Sequence, residues 1–383
     1  MLNILGAKQR FCDGLSRRSF LKIGAFGTGL TLADMLRSRA LANSPTGPAA
    51  SNHKAAIMIY LPGGPSHMDM YDLKPDAPVE YRGQFKPIQT NVPGVQICEY
   101  MPMQARMWDK LACVRSIVSI EEHSDSLVMT GYSENTNRVA HHPSFGSVMS
   151  RLRGNARADL PPFVSLRGMA IGCEPGYLGV AHRAFTPDGA GLANLNLAGG
   201  VTLARSDDRR TLLGSFDRAR RDIDASGSMV GMDAFAQRAF DMVASGAVRT
   251  ALNLEREDPR SRDRYRGIEQ FLTARRLIEA GVGCVTLAYG GWDTHGANFT
   301  TLRNQLPQLD RGIANMVQDL HDRGLGNDVV TVCWGEFGRT PRVNNSDGGG
   351  RDHWAPVMSA MVAGGGLRMG QAVGSYSARG QHP

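Results

Sequence analysis

Short apolar runs recur along the chain from residue 55 onward and predict the strands of one sheet. In most of them consecutive positions are apolar, rather than alternate ones, which is typical of a strand covered on both faces. The runs that predict strands are 55–61, 111–117, 163–166, 283–289 and 328–334.

Helical periodicity occupies the sequence between the last two runs. Over 299–323, apolar residues recur every three or four positions, which predicts an amphipathic helix. A strand, a helix and a strand in this order form a βαβ unit and therefore a parallel sheet. Further helices are predicted over 233–254 and 264–280. We therefore predict an α/β fold, with a single domain over 55–383.

The first 54 residues differ from this pattern and predict an export signal followed by a linker. Arg17-Arg18 precedes a glycine-rich apolar stretch, after which Ala40-Leu41-Ala42 offers a small-x-small cleavage site. This order predicts a twin-arginine signal peptide over 1–42, export by the twin-arginine translocase, and a periplasmic or extracellular location. Residues 43–54 are mostly polar and contain proline, and we predict a linker there.

Charge and cysteine content exclude several classes of protein. Of the net charge of +7, residues 1–42 carry +5, from seven basic and two acidic groups, so we expect no nucleic-acid partner. No run of about 18 apolar residues occurs, so no stable membrane span is predicted. Five of the six cysteines follow residue 42 and none lies in a Cys-x-x-Cys pair, which favours buried free thiols over a disulfide framework.

Carboxylates and imidazoles gather after three of the predicted strands, where parallel α/β sheets place their active sites. These clusters lie at 63–72, 290–295 and 335–341, and a fourth follows at 348–354. Carboxylate oxygens and imidazole nitrogens are ligands that suit zinc, manganese and calcium. We therefore expect these groups to surround one or two divalent metal ions, although a lone Asp or His after a strand more often caps a helix or forms a turn.

The chain is similar to the DUF1501 family of exported proteins over essentially its whole length. The matching segments, besides the twin-arginine signal, are Leu61 to Asp69, His123 to Gly131, Glu257-Asp258-Pro259 with Arg264-Tyr265, Ala274 to Val282, Gly291-Trp292-Asp293-Thr294-His295, Gly335-Glu336-Phe337-Gly338-Arg339-Thr340-Pro341 and Gly350-Arg351-Asp352-His353-Trp354. The resemblance implies a branch of the alkaline phosphatase and sulfatase superfamily. It therefore implies an alkaline-phosphatase-like three-layer sandwich around a mainly parallel sheet, with metals at the strand ends. Because family members usually continue further, a truncated C-terminus is also an expectation.

The superfamily pattern, carried over to this sequence, implies a set of metal ligands. The acidic residue after the first strand corresponds to Asp69, with Asp72 as the second choice. After Glu336 the superfamily has a His where this chain has Phe337, and Asp352 is either a ligand or the group that orients the late His. The ligands implied in this way are Asp69, Asp293, His295, Glu336, Asp352 and His353, around zinc, calcium or manganese.

The catalytic residues are less well matched. Sulfatases resemble one another in a Cys or Ser followed by Pro-Ser-Arg, which this chain lacks, although Thr130-Gly131 matches and Glu121 stands near the place of the nucleophile. Ser124 with the adjacent His123 is one candidate for the attacking group, and a water activated by metal is the other. The same serine also suits a helix cap.

Arg339 is a candidate for binding an anionic oxygen of the substrate through its two-pronged guanidinium. The alternative is an ion pair with one of the neighbouring carboxylates, Glu336 or Asp352. Sequence does not decide between these two roles.

These features lead to two main hypotheses. The first is an exported metal-dependent hydrolase of phosphate or sulfate esters, acting on an anionic small-molecule ester or on a sulfated or phosphorylated polysaccharide. The second is a non-catalytic descendant that binds a polysaccharide or an envelope partner, favoured by the missing His and the missing Pro-Ser-Arg motif. A twin-arginine oxidoreductase is less well supported, because neither a Cys-x-x-Cys pair nor a Gly-x-Gly-x-x-Gly loop after a strand occurs.

Overall fold

A computed structural model describes residues 54–154, 157–188 and 228–383, with isolated residues between 188 and 228. The predicted signal peptide (1–42) and the first eleven residues of the predicted linker lie outside the described residues. Among the helices that the structure describes, none has the length and apolar character needed to cross a membrane.

Eleven strands occur in the described residues. In chain order they are β1 (Ala55–Tyr60), β2 (Pro87–Gln89), β3 (Gln96–Cys98), β4 (Leu111–Ile117), β5 (Phe163–Ser165), β6 (Cys284–Ala288), β7 (Val329–Trp334), β8 (Gly338–Arg339), β9 (His353–Trp354), β10 (Met358–Gly364) and β11 (Gln371–Val373). Seven of them form one sheet in the order β11-β4-β10-β7-β1-β6-β5, and two small hairpin sheets pair β2 with β3 and β8 with β9. The five predicted strands are all present.

The α-helices flank this sheet. In chain order, those with a complete description are α1 (Val79–Arg82), α2 (Pro102–Arg106), α3 (Asp125–Thr130), α4 (Glu134–Ala140), α5 (Phe145–Arg153), α6 (Ser228–Ser245), α7 (Ala247–Leu252), α8 (Pro259–Arg264), α9 (Glu269–Ala280) and α10 (Asn298–Asp322). The predicted helix over 233–254 is broken at Gly246, whose left-handed backbone (φ 64°) ends α6. The one predicted over 264–280 begins only at residue 269, after a turn at Gly267.

The sheet is mainly parallel and is covered on both faces. Within the described sheet, β10 alone runs antiparallel to its neighbours. Alternate side chains of β1 point to opposite faces of the sheet. Ile57 and Ile59 belong to the large core that contains α9 and α10, whereas Met58 and Tyr60 pack with Val128 of α3 on the other face. The predicted α/β architecture, with helices on both sides of a mainly parallel sheet, is therefore confirmed.

The register of the central strands places three loops at one edge. Tyr60, the last residue of β1, pairs with Ala288 of β6 and with Trp334 of β7. Because these three strands run parallel and end level, the chain segments that follow them start side by side. The five cysteines that the structure describes are buried free thiols, so no disulfide shapes this edge.

Candidate metal centre

Three histidines and one aspartate meet beyond the ends of β1, β6 and β7. Each of His123, Asp293, His295 and His353 offers one ligand atom, and these atoms all lie within 4.8 Å of one another. Asp293 and His295 lie on the loop after β6, His353 starts β9, and His123 precedes α3. We call these four residues the ligand cluster.

Close backbone contacts hold these loops together. The Trp292 N–H donates to the Pro62 carbonyl over 2.8 Å, and the Arg351 N–H donates to the Thr294 carbonyl over 3.0 Å. At Gly63 (φ 100°), a side chain would bring its Cβ to 2.5 Å from the Asp293 nitrogen, so only glycine fits there. The loop after β1 thus supports the loop that carries Asp293 and His295.

The spacing within the ligand cluster would suit a metal ion. His353 Nε2 lies 2.8 Å from His123 Nε2 and 3.0 Å from His295 Nε2. Asp293 Oδ1 lies 3.0 Å from His295 Nε2 and 3.3 Å from His353 Nε2. Ligand atoms at the corners of a tetrahedron around zinc, with bonds of about 2.0–2.1 Å, are about 3.3 Å apart. The four atoms therefore fit around one cation of that size.

Three carboxylates set the protonation of the three imidazoles. Each faces the Nδ1 atom of one ring: Asp352 of His295 at 2.7 Å, Glu121 of His353 at 3.1 Å, and Glu336 of His123 at 3.4 Å. A carboxylate accepts, so the proton of each neutral ring is assigned to Nδ1. The Nε2 lone pairs then converge with the Asp293 carboxylate, an arrangement that a cation between them would stabilise.

Arg339 supports this cluster from inside the protein. Its guanidinium is fully buried and donates to the carbonyls of Gly63, Gly64 and Arg351 and to Asp293 Oδ1, the last over 2.5 Å. Partial burial alone would raise the pKa of Asp293, but the hydrogen bond and the charge of Arg339 outweigh this and lower it. Asp293 is therefore ionised at neutral pH, as a metal ligand must be.

The position of Arg339 corrects the expectation that it clamps a substrate oxygen. Its donors are used within the fold, on three carbonyls and one carboxylate. Its carboxylate partner is Asp293 and not either of the two expected ones, because the 338–339 strand turns the side chain inward beneath the 63–64 loop. The guanidinium therefore contacts the Asp293 carboxylate of the ligand cluster and backbone carbonyls of the fold.

Asp69 is not part of the cluster, which corrects its predicted role as a ligand. Its side chain is fully buried, and Arg351 donates to both of its oxygens, over 2.7 and 2.9 Å. Asn298 donates to the same carboxylate over 3.0 Å. The short 3-10 turn at His67–Asp69 directs this carboxylate into the protein. The second choice, Asp72, forms ion pairs with Lys74 and Arg115.

Glu336 and Asp352 lie next to the cluster and not in it. Asp352 orients His295, the second of its two expected roles, and the hydrogen bond from that ring lowers its pKa. Glu336 is 2% exposed; its Oε1 accepts the Gly63 N–H over 2.7 Å, and its Oε2 has no partner among the described residues. Phe337, at the place of the missing His, packs its ring 4.6 Å from that of His353.

Ser124 is the N-cap of α3. Its Oγ accepts the Ser126 N–H over 3.1 Å, so the helix-cap interpretation describes its main contact. The residue also lines a pocket of about 400 Å³ beside His123. A catalytic role for Ser124 or His123 remains a prediction.

Sequence reasoning missed two features of the site. His123 lies in the ligand cluster, where it is the third imidazole, and not only beside the candidate nucleophile as expected. Glu121 was noted for its position in the sequence, but its contact with His353 was not expected. The Glu-x-His spacing of 121 and 123 on one extended segment is the signal that was available.

Comparison with protein families assigns the chain to one of them. The sequence profile described as "Protein of unknown function (DUF1501)" matches residues 53–383. The chain belongs to the DUF1501 family. All four cluster residues lie in segments that carried the resemblance to DUF1501. No curated protein matches the sequence.

Two solved structures resemble this DUF1501 protein at low similarity. One is the PsFucS1 sulfatase from Pseudoalteromonas sp., with 9% identity over 91% of this chain and 68% of that chain, and a TM-score of 0.36. The other is Ps i-CgsB, with 11% identity over 85% of this chain and 70% of that chain, and a TM-score of 0.35.

Proposed function

We propose that this protein is a metal-dependent hydrolase of phosphate or sulfate esters, exported by the twin-arginine translocase to the periplasm or the cell exterior. The observation that carries the catalytic part is the ligand cluster, with its three converging Nε2 atoms and its ionised aspartate. The Arg17-Arg18 segment and the cleavage site after it support the export route.

The donor set favours a zinc-like ion over calcium. Three of the four donors are imidazole nitrogens, which suit zinc and other transition metals, whereas calcium prefers six to eight oxygen ligands. The cluster is partly open to solvent: the side chains of His123, His295 and Asp293 are 43–49% exposed. An ester oxygen therefore has access to it.

The protein groups around the cluster hold and orient it. A bound divalent cation would supply a Lewis acid that withdraws charge from an ester oxygen. Arg339 keeps Asp293 ionised and in place, and each of the three carboxylates orients one imidazole with its Nε2 towards the cluster. The pocket next to His123 receives the ester.

We propose that water, and not Ser124, attacks. The carboxylate that accepts a hydrogen bond from Ser124 is Glu134, which would have to act as the base. Hydrogen bonds from Arg138 and then from Ser124 lower the pKa of Glu134, which makes it a weak base. Ser124→Ala should keep at least a tenth of the activity, and no sulfated or phosphorylated serine should appear by mass spectrometry during turnover. A covalent Ser124 adduct would contradict a direct attack by water.

The metal site is tested by elemental analysis of purified protein. We expect about one zinc per chain in wild type and a loss of most of it in the Asp293→Ala, His295→Ala double variant. His321→Ala, an exposed histidine at the end of α10, is the control and should keep its zinc. Unchanged metal in the double variant would refute the cluster.

Catalysis is tested with a panel of aryl and sugar esters of phosphate and sulfate, assayed with added divalent metals. We expect hydrolysis by wild type and none by the double variant. A non-catalytic binding protein is the second candidate, because two of the three residues expected to act on substrate, Ser124 and Arg339, are engaged within the fold. Binding of a polysaccharide by protein that hydrolyses no ester would favour this second candidate.

A further inference from the structure

The pocket beside the ligand cluster contains one arginine. Its described lining includes His123, Ser124, Asp125, Glu134, Arg167 and Glu336. Three of them are carboxylates, and Arg167 is the one Arg or Lys in this described set. A pocket that receives an anionic ester needs a cation in reach, and Arg339 is already used.

The position of Arg167 follows from the sheet. It comes two residues after β5, and β5 pairs parallel with β6, so it emerges at the same edge as the loop with Asp293 and His295. The Leu166 N–H donates to the Thr286 carbonyl over 2.8 Å, and the Ser165 hydroxyl donates to the Arg167 carbonyl over 2.6 Å. The backbone of Arg167 is therefore held in place.

Arg167 is an exposed residue, and no described residue pairs with its guanidinium. Its neighbours differ in this respect. Arg138 pairs with the lining residue Glu134, and Arg183 pairs with Glu174. Arg167 thus has its donors available for a ligand, in a fork that matches the oxygens of a sulfate or phosphate group.

The charges of the site favour a ligand with a single negative charge. Around the cluster and the pocket there are six carboxylates (Glu121, Asp125, Glu134, Asp293, Glu336 and Asp352). Three arginines (Arg138, Arg167 and Arg339) and a divalent cation oppose them, so six negative charges meet five positive ones. A monoanion adds one charge to this slightly negative set. A dianion adds two, beside the buried carboxylate of Glu336, and like charges repel most strongly where water is excluded.

We propose that Arg167 binds the anionic group of the substrate and that the pocket prefers monoanionic esters, such as sulfate monoesters and phosphate diesters, over dianionic phosphate monoesters. This inference rests on the proposed function for its choice of substrate, but it concerns binding and not turnover. Arg167 is therefore a specificity-determining residue in contact with substrate.

The test uses full-length, zinc-loaded protein and three small anions at pH 8. Methyl sulfate and dimethyl phosphate carry one negative charge, whereas methyl phosphate carries close to two. Calorimetric titration should show that both monoanions bind at least about tenfold more tightly than methyl phosphate. Comparing the two monoanions separates the effect of charge from that of the central atom.

Substitution of Arg167 completes the test. Arg167→Ala should weaken the binding of both monoanions about 10- to 100-fold, as expected for the loss of charge-assisted hydrogen bonds, and Arg167→Lys should be intermediate. Arg153→Ala, an exposed arginine at the end of α5, is the control. Unchanged affinity in Arg167→Ala, tighter binding of methyl phosphate, or no binding of either monoanion would overturn the inference.

Zinc content and ester hydrolysis are measured on the same samples, so the two proposals fail separately. Loss of all hydrolysis with intact, Arg167-dependent binding would refute the hydrolase and support the binding role. Hydrolysis that is unaffected by Arg167→Ala, with unchanged anion affinity, would refute the binding role alone.

Discussion

At the scale of single residues, three carboxylates outside the ligand cluster contact its imidazoles. Glu121, Glu336 and Asp352 each face the Nδ1 atom of one ring. The contact between Asp352 and His295 is the shortest of the three, and Asn344 also donates to Asp352, over 3.2 and 3.3 Å. Asp352 is therefore the best fixed of these groups, and its loss should disturb the cluster most.

Replacing Asp352 by Asn keeps the shape of the side chain and removes its charge. We expect zinc affinity to fall about 10- to 100-fold, because a neutral amide oxygen accepts the Nδ1–H of His295 more weakly and leaves the ring a poorer ligand. Competition with a chromophoric chelator measures the affinity. Asp347→Asn changes an exposed carboxylate nearby and should leave it unaltered. Equal affinity in Asp352→Asn and wild type would show that the contact does not orient the ring.

A second residue-scale prediction concerns the buried pair of Asp69 and Arg351. Asp69→Asn leaves the guanidinium of Arg351 without its counter-charge, so the free energy of unfolding should fall by about 3–5 kcal/mol. The folded Asp69→Asn variant should still bind one zinc, because Asp69 lies outside the ligand cluster. Urea unfolding and elemental analysis measure the two quantities.

The exposed Asp76 is the control for this pair, and Asp76→Asn should change stability by less than about 0.5 kcal/mol. If Asp69→Asn lost its zinc while keeping the stability of wild type, Asp69 would be a ligand. The same two measurements therefore separate the role seen in the structure from the one implied by the superfamily.

At the scale of elements, the strands were predictable because a buried parallel strand must be apolar on both faces. The run at 55–61 shows this signal clearly, since alternate residues of β1 enter two different cores. The antiparallel β10 was not predicted, because it needs no helical crossover and so leaves no βαβ pattern. The break at Gly246 was missed because the apolar periodicity continues across it into α7.

The site was predictable only in part, for reasons that also lie in the elements. Asp293 and His295 directly follow a strand, so their place at the sheet edge follows from topology. The burial of Asp69 could not be predicted from sequence, because a single 3-10 turn decides whether its side chain faces the site or the core. His123 precedes a helix that packs on the other face of the sheet. Only the tertiary structure brings it next to His353, so no local sequence pattern indicates this contact.

Helices α9 and α10 are joined by a charged network around Glu257. Its carboxylate contacts Arg275 and Arg276 of α9 and Arg323 after α10, over 3.0, 2.7 and 3.5 Å. Burial alone would raise the pKa of Glu257, but its hydrogen bonds to Arg276 and Arg275 outweigh this and lower it below 4.5. The native state therefore binds fewer protons here than the unfolded state does near pH 4.

This shift predicts how stability depends on pH. The contribution of Glu257 should be fully present above about pH 4.5 and be lost as the pH falls through the lowered pKa. Glu257→Gln should cost about 3 kcal/mol at pH 7, and the difference from wild type should shrink towards pH 3. Urea unfolding at several pH values measures this difference in the free energy of unfolding.

The control for this network is Glu255→Gln, which alters a carboxylate that is 81% exposed and should change stability by less than about 0.5 kcal/mol. A difference between Glu257→Gln and wild type that stayed constant from pH 7 to pH 3 would show that the charge of Glu257 is not what stabilises the network.

At the scale of the whole molecule, the ligand cluster joins distant parts of the chain. His123 leads into α3 on one face of the sheet, Asp293 and His295 lead into α10 on the other, and His353 comes from the β8–β9 hairpin. A cation bound by all four connects segments that are up to 230 residues apart in sequence. Metal binding should therefore stabilise the entire domain and not one loop.

Removal of the metal tests this coupling. Because only the folded chain assembles the four ligands, zinc at 100 times its dissociation constant should add about 2.7 kcal/mol to the free energy of unfolding. Treatment with a chelator should lower the melting temperature, and zinc should restore it, as followed by circular dichroism. The Asp293→Ala, His295→Ala variant should melt at the same temperature with and without zinc, whereas His321→Ala should respond like wild type. If neither chelator nor zinc changed the melting temperature of wild type, the four ligand atoms would converge without holding an ion.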